Sequence, residues 1–97
     1  MAKLLTDEAV DAALRGLPGW TRRDRTITAT YTFRDFAQAF AFMTEVAAEA
    51  ECSNHHPDWR NVWSKVEVTL STHDAGGVTA RDIALATSIA GLARSVR

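Results

Sequence analysis

From residue 26 to residue 33 the chain alternates without a break. Ile27, Ala29, Tyr31 and Phe33 take one parity, and Thr28, Thr30 and Thr32 take the other. Successive side chains of a strand point to opposite faces, so this segment is a strand with one apolar face on a core. Such a strand belongs to an antiparallel sheet covered on one side, because doubly covered parallel strands read as continuous apolar runs. Residues 20–23 supply a partner strand across an Arg23-Asp24-Arg25 turn, whose mixed charges suit a solvated position. Residues 58–72 are also extended, but a usual strand has about 5–6 residues. A tight turn near Trp63-Ser64 therefore divides them in two. Val62, Val66, Val68 and Leu70 are assigned to one face, Lys65, Glu67 and Thr69 to the other, and Ala75-Gly76-Gly77 forms a loop.

Helices occupy the rest. Thr6 is an N-cap, Asp7 and Glu8 complement the dipole of the first turn, and Gly16 is the stop. Val10, Ala13, Leu14 and Leu17 form its apolar stripe, and Pro18-Gly19 breaks the chain. Asp35 caps a second helix whose buried face is read as Phe36, Phe40, Met43, Ala47 and Ala50. Its aromatic residues are assigned to the core, with part of Phe42 left for a subunit contact. Thr79-Ala80-Arg81-Asp82 has the form of a capping box with Asp in the acid position. The third helix carries Ile83, Ala86, Ile89, Ala90 and Ala93 inward, flanked by Leu85, Leu92 and Val96. The order α-β-β-α-β-β-α predicts an α+β fold: a two-layer α/β sandwich, a four-stranded antiparallel sheet with helices on one face.

Ninety-seven residues suit a single domain over 1–97, and 46% apolar with 24% charged content is ordinary for a soluble protein. Eleven basic and twelve acidic residues leave a net charge of −1, too little to gather nucleic acid or an anionic membrane. Cys52 is the only cysteine, which excludes an intrachain disulfide and a thiolate metal cage. A free thiol, no apolar leader and no run near the roughly 20 apolar residues of a membrane span predict a cytoplasmic protein.

All three histidines fall within residues 55–73, as His55-His56-Pro57 and Ser71-Thr72-His73. Histidine exchanges protons near neutrality, and a helix end and a strand end often meet at one rim of a two-layer domain. Pro57 restricts His56 to extended conformations and so holds the pair.

These segments resemble the pterin-4a-carbinolamine dehydratase family. The likeness is carried by Glu51-x-x-x-His55-His56-Pro57-x-Trp59, Asn61-Val62-x-x-Lys65-Val66, Leu70-Ser71-Thr72-His73 and Gly77-Val78-Thr79-x-x-Asp82. It runs from about Trp20 into the last helix and includes Phe33-x-Asp35-Phe36 and Ala39-Phe40-x-Phe42-Met43. The resemblance implies dehydration of 4a-hydroxytetrahydrobiopterin to quinonoid dihydropterin, in recycling of the tetrahydropterin cofactor of aromatic amino-acid hydroxylases. That elimination needs an acid for the departing hydroxyl and a base for the N5 proton, and no cofactor or metal. The same resemblance implies that His55 and His73 are the acid–base pair and that His56 binds and orients. It further implies that Glu51 and Asp82 orient imidazoles or bind pterin N–H groups, that Ser71, Thr72 and Asp74 line the pocket, and that Trp59 lies beside it. Three positions depart from the family pattern: Trp63 for a common tyrosine, Asn54 for aspartate and Val78 for leucine.

Rival readings exist for the same residues. Asp82 serves equally as the capping acid of Thr79, and Trp59 as core or subunit contact. Three histidines with Glu51 or Asp82 have the chemistry of a zinc site, but adjacent histidines in extended chain point apart. A non-catalytic protein-binding or assembly module on the same fold is the alternative, since the family includes a homeodomain dimerisation cofactor and degenerate assembly factors. Trp20, Trp59, Trp63 and the alanine-rich helix flanks offer more apolar surface than a small monomer covers, which predicts self-association; the resemblance implies a homodimer or homotetramer.

Overall fold

A computed structural model describes residues 2–97. In chain order the elements are α1 (Asp7–Leu14), β1 (Thr21–Arg23), β2 (Thr26–Thr32), α2 (Phe36–Ser53), β3 (Asp58–Val62), β4 (Lys65–Leu70) and α3 (Ala80–Val96), with one 3-10 turn at His73–Ala75. The four strands form one antiparallel sheet in the order β1-β2-β4-β3. The α+β order read from the sequence is the one found.

Two short hairpins build the sheet. Arg23 pairs with Thr26 and Val62 with Lys65, so each turn has two residues. The first residue of each turn is left-handed, Asp24 at φ 56° and Trp63 at φ 49°. Aspartate tolerates that region, whereas a bulky tryptophan there is an outlier. Asn61 holds the second turn by donating its side-chain N–H groups to the Trp63 and Lys65 carbonyls at 3.1 and 3.0 Å.

The core lies between the sheet and the helices. Ile27, Ala29 and Phe33 meet Val66, Val68 and Leu70 on the sheet side, and Ala39, Phe42, Val46, Leu85, Ala86 and Ile89 on the helix side. Trp20 belongs to this core too. It is buried, with its indole N–H donating to the Tyr31 hydroxyl at 2.8 Å, and is therefore not subunit surface. Burial in turn pushes the Tyr31 hydroxyl above its ordinary range, against the opposing effects of the Trp20 bond and of Arg97 and Arg94.

Three face assignments are corrected, the first in α3, where Leu85, read as flanking, is buried in the core while Ile83 and Ala90 are only partly buried. In α2 the buried residues are Ala39, Phe42, Val46 and Ala50, while Phe36 and Phe40 are 48% and 53% exposed and Ala47 is exposed. The helix is apolar nearly all round, so its largest residues did not mark the core side. Phe42 is wholly buried and has no part left for a subunit contact. Val62 lies on the outer face, because the two-residue turn sets it opposite Lys65 and Asn61 opposite Val66. Parity therefore inverts between β3 and β4.

The caps are those the sequence predicts. Thr6 accepts from the Ala9 N–H at 3.1 Å, and Asp35 from the Gln38 N–H at 2.8 Å. The Gln38 bond and Arg34 hold the Asp35 carboxyl below the usual carboxylate range. Arg22 of β1 bonds Asp11 of α1 in a paired contact at 2.8 and 3.2 Å, fixing the first helix to the sheet edge.

Candidate active site

The left-handed Asn54, at φ 50°, ends α2. Its N–H donates to the Glu51 carbonyl at 3.2 Å and the His55 N–H to the Ala50 carbonyl at 3.0 Å, the paired bonds of a Schellman motif. The sharp turn sends the two histidines to different carboxylates. His55 is buried and its Nε2 lies 2.5 Å from Asp82 Oδ1. His56 is exposed and its Nε2 lies 2.8 Å from Glu51 Oε2.

The third histidine stands on a separate loop. Beyond β4 the Thr72 N–H donates to the Gly77 carbonyl at 2.8 Å, and the Ala75 and Gly76 N–H groups donate to the Thr72 carbonyl at 3.1 and 3.0 Å. Gly76, at φ 78°, closes this tight loop, which exposes His73 and Asp74. An N-terminal segment braces its far side, where the Leu5 N–H donates to the Val78 carbonyl at 2.9 Å and Leu4 bridges Thr79.

Asp82 ties the parts together from a position with no exposure. Its Oδ2 accepts the Thr79 N–H at 2.9 Å, completing the capping box of α3, and the Thr72 hydroxyl at 2.8 Å. Its Oδ1 faces His55, so the capping role and the histidine-orienting role coexist in one carboxylate. A carboxylate only accepts, which fixes the proton directions around it. Thr72 donates to Asp82, so Thr79 donates to Thr72 across their 2.7 Å contact, and the Arg81 N–H donates to Thr79 Oγ1 at 3.2 Å. Against an ionised Asp82, His55 Nε2 is the donor of the pair.

A cleft of about 250 Å³ is lined by Asn54, His55, His56, Ser71, Thr72, His73, Asp74 and Arg81. Three residues named from the sequence do not line it. Glu51 reaches it through His56, Asp82 lies behind His55, and Trp59 packs against the core from its place opposite Val68. Among the described residues no buried side-chain nitrogen or oxygen lacks a partner. Since His55 Nδ1 has none, it reaches solvent. An imidazole backed by a buried carboxylate and open at its other nitrogen can give or take a proton beside a second imidazole. Among the described residues no three His, Cys, Asp or Glu side chains gather as a metal site.

Two lining residues were not among the predicted site residues: Asn54, noted only as a departure from the family pattern, and Arg81, which the sequence reading missed. A signal was present: it is a cation in the first turn of α3, where the helix dipole disfavours one.

Comparison with known proteins gives the family. The model of the pterin 4 alpha carbinolamine dehydratase family matches residues 3–92, and the chain belongs to that family. A protein of Afipia carboxidovorans named for this dehydratase is 61% identical over 88 residues, 89% of this chain and 88% of its own. One of Rhodopseudomonas palustris with the same name is 56% identical over 95 residues, 96% of this chain and 94% of its own. A solved structure from Brucella melitensis, described as a transcriptional coactivator/pterin dehydratase, superposes with a TM-score of 0.89 at 43% identity, covering 92% of this chain and 97% of its own. A pterin dehydratase-like RuBisCO assembly factor of the alpha-carboxysome shares the fold, with a TM-score of 0.64 at 24% identity over 76% of this chain and 86% of its own.

Proposed function

We propose that this protein dehydrates a 4a-hydroxytetrahydropterin in the recycling of tetrahydrobiopterin, by general acid–base catalysis in the cleft between His55 and His73. In the step, one imidazolium protonates the C4a hydroxyl as the C–O bond breaks, the other imidazole takes the N5 proton, and the electron pair released forms the C4a–N5 double bond. The products are water and quinonoid dihydropterin. Asp82 holds His55 with Nε2 as donor and leaves Nδ1 for the substrate. His56, held by Glu51, orients the bound ring at the rim, and Ser71, Thr72 and Asp74 offer polar groups to its edge. Trp59 supports the wall from β3.

The observation that carries the reading is one cleft holding a carboxylate-backed imidazole and a second imidazole, in a chain of this family. The reaction is assigned to the cytoplasm. Among the described residues no helix is long and apolar enough to cross a membrane. The protein works as a homodimer or homotetramer that covers the exposed Phe36–Phe40 stripe of α2, whose rings lie 5.6 Å apart.

The test is stopped-flow ultraviolet absorbance of chemically generated 4a-hydroxytetrahydropterin with wild type, His55→Ala and His73→Ala. Dehydration faster than buffer, cut at least about tenfold by either change, is the expected result. Wild type no faster than buffer would refute the enzyme and favour a binding or assembly module.

A further inference from the structure

Two adjacent residues of α3 grip two adjacent residues beyond α2. The Arg81 guanidinium donates to the Asn54 carbonyl at 2.7 Å, and next to it Asp82 holds the ring of His55. Each half of the grip answers a local need. Helix α2 has no basic residue in its last turn to complement the negative end of its dipole. Arg81 supplies that cation from the neighbouring helix, at a position where its own helix is electrostatically the poorer for it. A residue that breaks a local preference while satisfying a distant partner marks a tertiary role.

The position is also well chosen for control of His55. Asn54 is left-handed and its carbonyl belongs to the peptide plane that leads into His55, so fixing that oxygen fixes the orientation at which the histidine leaves the turn. Arg81 and His55 both line the cleft and also a crevice of about 180 Å³ between α2 and α3. Removing the guanidinium would free the peptide plane.

We propose that Arg81 is a positioning residue, which locks the Asn54–His55 peptide so that His55 keeps its bond to Asp82 and presents its other nitrogen to the cleft. The kinetic part rests on the dehydratase reading, but the geometric part does not. The experiment therefore has two arms, with Arg81→Ala, Arg81→Gln and Arg81→Lys. In nitrogen-edited proton NMR, wild type is expected to show a slowly exchanging downfield proton on His55 Nε2, and its absence would overturn the lock on Asp82. Arg81→Ala and Arg81→Gln are expected to broaden or lose that signal, and Arg81→Lys, which still brings a charged donor to the Asn54 carbonyl, to retain it.

In dehydration kinetics the alanine variant is expected to lose about tenfold or more in kcat with KM within about threefold, since small misplacements of a reacting group are costly. Lysine should restore kcat to within about threefold of wild type. An unchanged Nε2 signal in both the alanine and glutamine variants would overturn the proposal. A raised KM with intact kcat would also overturn it, making Arg81 a direct substrate contact. Should wild type lack dehydratase activity, the NMR arm alone decides the positioning role.

Discussion

Replacing Asp82 by asparagine changes almost nothing in shape and reverses one proton direction, that of the bond to His55. The Oδ2 position accepts the Thr79 N–H and the Thr72 hydroxyl, and the backbone N–H cannot be reversed. The amide oxygen of the introduced asparagine must therefore take that position, which leaves its NH2 group facing His55 Nε2. His55 can keep the contact only by accepting there, and its proton moves to Nδ1. The stability cost follows from the same contacts. Two retained bonds fall from charge-assisted to neutral and a third is reversed, each losing about 1 kcal/mol or less, for a total near ~2 kcal/mol. Against a domain stability of about 5–15 kcal/mol the variant folds, with Tm lowered by about 8–16 °C.

Asp82→Ala is different. It leaves three donors without partners in a buried site, at about 1–3 kcal/mol each, and approaches the whole stability of the domain. If His55 Nδ1 acts on the substrate as a base, Asp82→Asn loses on the order of 10²–10⁴ in kcat while remaining folded. Circular dichroism melts and stopped-flow dehydration measure the two effects separately. Wild-type kcat in the asparagine variant would refute the tautomer argument, and a melt like that of the alanine variant would refute the hydrogen-bond accounting.

Two further outcomes are open to simple measurement. Phe40→Glu, placed on the exposed side of α2, is expected to shift sedimentation to a smaller species while leaving the melt nearly unchanged, and an unaltered sedimentation profile would place the subunit contact elsewhere. Tyr31 is held protonated by burial, so ultraviolet titration of folded protein should give a phenol midpoint above the ordinary 10.0. Because the folded value is the higher one, the unfolded chain loses this proton first. Stability should then fall as pH rises above about 10, and Tyr31→Phe should reduce that slope.

The parts of the fold that were legible in the sequence are those decided locally. Thr6, Asp35 and Thr79 announced the helix starts because a cap is a bond between residues two or three apart. The alternation in β2 gave its buried face because one side of that strand meets only helices. The turn at Trp63-Ser64 could be placed from strand length, although tryptophan is no turn former; what holds it is Asn61.

Illegible were choices made by distant partners. Helix α2 has apolar residues on both sides, and only its packing on the sheet and α3 decides that Phe42 goes in and Phe40 out. The inverted parity at Val62 depends on the exact turn length, to which a pattern of valines is blind. At the site, residue types and spacing brought the histidines to notice and the family resemblance the carboxylates, whereas pairing His55 with Asp82 and His56 with Glu51 required the left-handed turn at Asn54. Arg81 escaped because its partner is a backbone carbonyl, which has no letter in the sequence.

The strand order β1-β2-β4-β3 has a kinetic consequence. Each hairpin closes over a two-residue turn, but the seam between them joins residues such as Thr28 and Val68, 40 positions apart, across the whole of α2. Closing that seam carries most of the loop entropy of folding, so β2 and β4 are the expected transition-state nucleus. Substitutions there should slow refolding. The cleft residues, in contrast, come from the turn after α2, the loop after β4 and the first turn of α3, connections that tighten only once the seam is shut. Changes at Arg81 or His73 should therefore speed unfolding and leave the refolding rate almost untouched: the histidine cleft is expected to be the last part of the molecule to form and the first to open.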